Sequence, residues 1–189
     1  MIYIISGSSR SGKTIVAKKL MQQINIPYLS LDWLVMGFTN GIPEYGIHDK
    51  LWPNEIAEKM WDYLEAMLES MIWSGADVII EGEAILPELI SRFSKKHPKL
   101  IKICYVGYSN VSIEQKVKEI YQYSKGKNDW LTKESKAYVE DHTANMITYS
   151  KRIEKACKKY GLRYFDTSEN FTETLDKVIA YLLKNPLGK

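Results

Sequence analysis

The run Gly7-Ser8-Ser9-Arg10-Ser11-Gly12-Lys13-Thr14 constrains this chain more than any other part of it. It matches G-x-x-x-x-G-K-T at every restricted position. The apolar stretch Ile2-Tyr3-Ile4-Ile5 precedes it, and an amphipathic segment ending near Ile24 follows, so the local order is strand, turn, helix. Backbone N–H groups of Ser8, Ser9, Arg10, Ser11 and Ile15 and the positive end of the helix dipole then converge on one anionic site. Gly7 and Gly12 supply dihedrals and close approach that a side chain would block. Lys13 is placed to reach β and γ phosphates, and the Thr14 hydroxyl to ligate Mg²⁺. A glycine-rich turn that binds nothing would not need all of these positions filled. The expectation is a nucleoside triphosphate site.

Length and composition narrow the setting. The 189 residues fit one domain, read as 1–189, with room for a small lid. Apolar residues make up 45% and charged residues 26%, enough for a core in an ordinary soluble chain. Net charge is +3, and only four of the 26 basic residues are arginine (Arg10, Arg92, Arg152, Arg163), so a nucleic-acid footprint is not expected. The lysines Lys116, Lys118, Lys125 and Lys127 cluster, but read first as a solvated face. Cys104 and Cys157 lack metal-site or disulfide spacing and read as buried thiols. No apolar run reaches membrane-spanning length, and the first strand signal begins at Ile2, so a cytoplasmic protein is expected.

Strand and helix signals alternate, which argues for an α/β fold with a parallel sheet covered on both faces. Strands are expected at Ile2–Ser6, Pro27–Leu31, Val78–Ile80, Leu100–Val106 and Leu162–Phe165. A long helix over Asn54–Ser74 carries Ile56, Met60, Leu64, Met67 and Met71 on one stripe and acids on the other. Further helices are marked by Ile113, Val117 and Ile120, by the stretch from about Thr132 to Tyr160, and by a last segment ending near Lys184. Met36 to Pro53 reads as turns, with Gly37, Gly41, Pro43 and Gly46.

Two acidic positions stand at predicted strand ends. Val78-Ile79-Ile80-Glu81-Gly82 puts Glu81 beside the phosphate loop, as a holder of a Mg²⁺-bound water or a substrate contact; a turn cap is the competing reading, and Glu83 the nearby alternative. Asp32 follows the second strand, and ligands of open α/β sheets sit beyond the carboxyl ends of strands. Its carboxylate can accept the proton of a hydroxyl attacking the γ-phosphate, or else serve as an N-cap. Lys13, Asp32 and Glu81 are therefore the candidate catalytic residues, with Thr14 and Glu81 the candidate metal ligands.

The loop, Asp32, Glu81-Gly82 and a break near Asn128 together resemble the P-loop kinases of small metabolites: adenylate, shikimate, gluconate and uridine kinases and a related antibiotic phosphotransferase. Asp32-Trp33-Leu34 is similar to the Asp-x-Phe of uridine and nicotinamide riboside kinases, whose aspartate faces the acceptor hydroxyl. The resemblance covers nearly the whole chain in element order and is specific at residues 7–14. It implies a three-layer P-loop NTPase fold, with a five-stranded parallel sheet in the order 2-3-1-4-5 and a small helical lid at about 116–132. It also implies that the loop around Thr167 runs past the adenine ring; Ser168 there is equally a helix N-cap.

In one respect the chain departs from the family, since no arginine lies between Arg92 and Arg152. Lys118, Lys125, Lys127 and Arg152 are the cations available to replace a lid arginine, lysine acting as a point charge. Helical spacing gathers Tyr138, His142, Asn145, Tyr149 and Arg152 on one face that either lines the cleft or is half-buried structure. Residues 33–53, with Trp33, Phe38, Tyr45, His48 and Trp52, are the expected acceptor-binding insertion, or a hydrophobic cluster pinning that stretch. His48 reads as a structural hydrogen-bonder.

Three functions remain in view. The first is a kinase using ATP and Mg²⁺ to phosphorylate a hydroxyl or phosphate of a nucleoside, nucleotide, sugar acid or antibiotic. The second is an ATP- or GTP-binding regulatory module without efficient transfer. The third, a kinase of nucleic-acid ends, needs a basic stripe with exposed aromatics, hinted at only in 116–130. Neither membrane nor nucleic acid is an expected partner, and oligomeric state is open.

Overall fold

The computed structural model describes residues 1–124 and 129–184. Five strands, β1 (Ile2–Gly7), β2 (Tyr28–Ser30), β3 (Val78–Gly82), β4 (Ile101–Gly107) and β5 (Arg163–Asp166), form one sheet. Every pairing is parallel and the order is β2-β3-β1-β4-β5, as the resemblance implies. Successive strand residues face opposite sides, and here both sides are covered, which explains the uninterrupted apolar runs. Ile4, Ile80, Ile103 and Tyr105 join one core, while Ile5, Ile79, Cys104 and Val106 join the other.

The second core is closed by α1 (Lys13–Ile24), through Val16 and Leu20, and by α7 (Phe171–Leu183), through Leu175 and Val178. The first is closed by α2 (Leu31–Gly41), α3 (Pro53–Trp73), α4 (Pro87–Lys96) and α6 (Lys136–Tyr160). Met60, Leu64 and Leu68 form the inner stripe of α3, and truncating one of these to alanine costs about 2–5 kcal/mol. The chain thus leaves β1 toward one face and β3 toward the other, which opens a crevice beyond their carboxyl ends. Between β4 and α6 lies α5 (Ile113–Tyr123), whose Val117 and Ile120 meet Leu131 and Val139 in a small separate cluster.

The structure corrects three local expectations. The turn-rich stretch begins only after Gly41, because Leu31, Val35 and Phe38 are buried at helical spacing in α2. Two glycines cost about 1 kcal/mol each in a helix, and core contact outweighs that. Gly37 and Gly41 face open space among the described residues. The long helix expected from Thr132 starts at Lys136, where the Ser135 hydroxyl accepts the Tyr138 N–H; a 3-10 turn occupies Leu131–Lys133. Ser168 does not cap the last helix: Asn170 holds that position, and the Ser168 hydroxyl instead accepts the Asn110 N–H. Cys104 and Cys157 are free and buried, and burial pushes both thiols up. No described helix is long and apolar enough to cross a membrane.

Candidate active site

The phosphate loop is held by contacts that exclude side chains where glycine stands. Gly7 has φ 127°, and a Cβ there would lie 1.9 Å from the Val106 carbonyl oxygen. Gly12 has φ 97° and abuts Leu175. Arg10 takes a left-handed φ of 56°, turning the chain so that α1 can begin at Lys13. Ser8 and Ser11 are both fully buried, yet neither Oγ finds a hydrogen-bond partner among the described residues. An orphaned buried hydroxyl costs about 1–3 kcal/mol. Phosphate oxygens would supply both partners, so the residues present fit the group that the motif implies. Lys13, 6% exposed, curls back to donate to the Ser8 carbonyl at 2.7 Å.

Strand register brings the acids to this loop. Glu81 pairs across the sheet with Ile5 on one side and Ser30 on the other. The Thr14 hydroxyl donates to Glu81 Oε2 at 3.2 Å, so the two candidate metal ligands touch. Gly82 carries φ 159° and a Cβ there would strike Leu31, so the strand end and the start of α2 pack without a side chain between them. Past that glycine, Glu83 Oε1 lies 3.8 Å from Lys13 Nζ. Burial raises the Glu83 pKa most; Lys13 and a Ser9 hydrogen bond oppose this, while Asp32 and Glu81 push further up. On sequence alone Glu83 stood behind Glu81, yet it is the glutamate that reaches Lys13. The Glu-Gly-Glu spacing was the available signal.

Ser9, Asp32 and Glu83 line one cavity of about 630 Å³. Asp32 sits in the first turn of α2, two residues past the N-cap position Ser30, so its carboxylate is not the cap. The rest of its lining includes Asp49 to Trp52, Trp130, and Tyr138, His142 and Met146 of α6. Trp130 meets the His142 ring edge-on at 5.3 Å, and Tyr138 stacks on the same ring. Burial holds His142 low, with Arg10 adding to the effect.

Two long-range contacts tie the loop to the segment around α5. Arg10 Nη1 donates to Asp129 Oδ2 at 2.9 Å and Nη2 to Oδ1 at 2.5 Å, a forked pair spanning 119 residues of sequence. That pairing holds the Asp129 carboxyl below its ordinary value. Lys116, expected on a solvated face, is instead 5% exposed and sits 4.0 Å over the Tyr108 ring. Tyr108 donates in turn to the Ser9 carbonyl at 2.7 Å.

Other candidates lie elsewhere. Arg152 is exposed on α6 and does not line the cavity; Asn145 is also exposed, and Tyr149 is buried in the core. Thr167 is 5% exposed and its hydroxyl donates to the Gly107 carbonyl at 3.0 Å. Of the aromatics in 33–53, Trp52 lines the cavity. Trp33 leans on Tyr28, and Phe38 packs against Tyr45 and Tyr63 as a pinning cluster. The His48 Nδ1 is buried without a partner among the described residues, so that atom does not make the expected structural bond. Lys125, Lys127 and Asn128 lie outside the described residues.

No protein-family model and no curated protein matches this sequence. Solved structures do match it in shape. Shikimate kinase from Bacteroides thetaiotaomicron superposes with a TM-score of 0.57 at 15% identity, covering 96% of this chain and 98% of that one. Shikimate kinase from Acinetobacter baumannii, in complex with shikimate, gives 0.57 at 15% identity, with 99% and 95% covered. A gluconokinase from Sinorhizobium meliloti 1021 gives 0.56 at 14% identity, with 95% and 90% covered. The order of its five parallel strands and its likeness to these kinases over nearly the full chain show that this protein has the fold of the P-loop small-molecule kinases.

Proposed function

We propose that this chain is a phosphotransferase that moves the γ-phosphoryl group of ATP to a hydroxyl or phosphate of a small molecule. The observation that carries the reading is the cavity that opens from Ser9 of the loop, with Asp32 and Glu83 in its wall. A module that only bound a nucleotide would need no second compartment beside the phosphates. The similar solved structures, shikimate kinases and a gluconokinase, agree with it.

In this reading the loop N–H groups, the Ser8 and Ser11 hydroxyls and Lys13 hold the β and γ phosphates. Thr14 and Glu81 would hold Mg²⁺, directly or through water. Among the described residues no three His, Cys, Asp or Glu side chains converge as a metal site of their own. Such a cation would need phosphate oxygens as further ligands, which is usual for Mg²⁺. When bound, it would supply positive charge that offsets the charge of the transferring phosphoryl group. Asp32 orients the acceptor and takes its hydroxyl proton as the new O–P bond forms and the bond to the β-phosphate oxygen breaks, releasing ADP. Glu83 keeps Lys13 beside the loop before the phosphates arrive. Trp130 and the start of α6 roof the cavity against water, which limits idle hydrolysis. A cytoplasmic setting suits both ATP supply and two free thiols.

The test is ATP consumption with Mg²⁺ against nucleosides, nucleotides, sugar acids and aminoglycosides, with Lys13→Ala as the blank. Turnover raised well above the acceptor-free rate supports the kinase. Lys13-dependent ATP binding with no acceptor response across the panel overturns it in favour of a regulatory nucleotide-binding module.

A further inference from the structure

We propose that the acceptor carries no acidic group: the cavity is built for a neutral or cationic hydroxyl compound with at least one ring. The inference rests on the kinase reading of the same cavity and narrows it.

Charge is the first argument. Asp32, Asp49 and Glu83 line the cavity, and Lys50 is the one lysine or arginine among the described residues that does so. Three cations in or packed against the phosphate loop are already engaged. Lys13 donates into the phosphate loop, Arg10 is forked onto Asp129, and Lys116 is packed over Tyr108 and paired with Glu119 at 3.4 Å. His142, the remaining basic side chain in the wall, is held toward its neutral form by burial and by Arg10. A carboxylate or phosphate on the acceptor would therefore meet the carboxylates of Asp32 and Asp49, with Lys50 the one lysine or arginine in the lining among the described residues to answer it. A hydroxyl or ammonium would meet acceptors it can donate to.

Shape is the second, independent argument. Trp52, Trp130 and Tyr138 leave 48%, 51% and 46% of their surface exposed around the cavity mouth. Such rings stack on flat or apolar faces and attract cations, and neither interaction favours an anion. A volume of about 630 Å³ suits a molecule of one or two rings. The anion-binding demand of the site is concentrated next door, where the buried Ser8 and Ser11 hydroxyls await partners. Phosphate chemistry belongs to the loop; the cavity is left for an acceptor without it.

Matched pairs test this: adenosine and uridine with their 5′-monophosphates, methyl shikimate with shikimate, and 2-deoxystreptamine as the cationic member. Phosphorylation is measured with Mg-ATP, and binding separately by calorimetry with a non-hydrolysable ATP analogue. The neutral or cationic member of a reactive pair should lead by at least about thirtyfold in kcat/KM, the scale of an uncompensated charge contact at a partly solvated site. Asp49→Lys should shrink that ratio about tenfold. An anionic member turned over as well as its neutral partner overturns the charge assignment and leaves the kinase standing. Neutral or cationic members that bind without being phosphorylated uphold the assignment and sink the kinase. Failure of every such member to bind, in protein that still binds the ATP analogue, overturns the assignment.

Discussion

The phosphate loop and the cavity beside it touch at Ser9, yet they are built in opposite ways. The loop is local: residues 7–14 are consecutive, Ser8 and Ser11 are fully buried, and a Cβ at Gly7 would collide with Val106. The cavity is assembled from Asp32, from 49 to 53, from Glu83, from Trp130 and from α6, and its aromatic walls are half exposed. A phosphate group presents the same oxygens whatever it is attached to, so one loop geometry serves. In the proposed reading an acceptor has its own outline, and that outline would be met by side chains brought together from distant segments. The difference teaches where substitutions should be felt as binding of ATP, and where as choice of partner.

The sharpest break in the comparison is Lys13→Ala, which should lower ATP turnover on the order of a thousandfold or more, as for loss of a preorganised charge at the phosphates. Steady-state ATP consumption beside a circular dichroism check of folding decides it. Undiminished turnover would remove the loop from the chemistry. On the cavity side, Asp32→Asn should cut acceptor phosphorylation at least about a hundredfold while sparing ATP affinity. An equal loss of ATP affinity would move Asp32 to the metal side of the boundary.

Trp130→Ala comes next and sharpens the split further. Removing that wall should raise the acceptor KM about tenfold through lost ring contact, with the ATP dissociation constant unchanged. A matching rise in both constants would mean that Trp130 serves the loop as well. The smallest effect belongs to the Arg10–Asp129 fork, which joins the two regions. Asp129→Asn should lower stability by about 0.5–1 kcal/mol at neutral pH, the ordinary yield of a partly solvated pair. Arg10 holds the folded-state pKa of Asp129 below its ordinary value. Its contribution is therefore complete above the ordinary carboxylate range and lost as pH falls through the lowered pKa. Thermal melts of both proteins across acid pH should converge; a gap that persists at the acid end would assign the loss to something other than this charge.

Legibility in the sequence follows the same divide. Strand runs, the α3 stripe and the loop all express short-range periodicity or fixed spacing and could be read directly, whereas the sheet order was implied by the family resemblance and not by periodicity. Helix α2 could not be read past Met36, because Gly37 and Gly41 look like turn signals until Val35 and Phe38 are seen against the core. Glu81 and Glu83 are two residues apart in a common string, and only register and the fold of Gly82 separate their surroundings. Arg10 and Asp129 carry no mutual signal at a separation of 119 residues.

What the sequence determined by itself is the phosphate-loop pattern and the alternation that demands a parallel sheet. Both are properties of neighbours along the chain, where backbone geometry leaves few choices. Tertiary structure alone decided that Glu83 reaches Lys13, that Lys116 is buried over Tyr108, and that Trp130 and His142 line one cavity with Asp32. Those relations depend on how helices seat on the sheet. Packing selects among many side-chain neighbours that sequence spacing cannot distinguish.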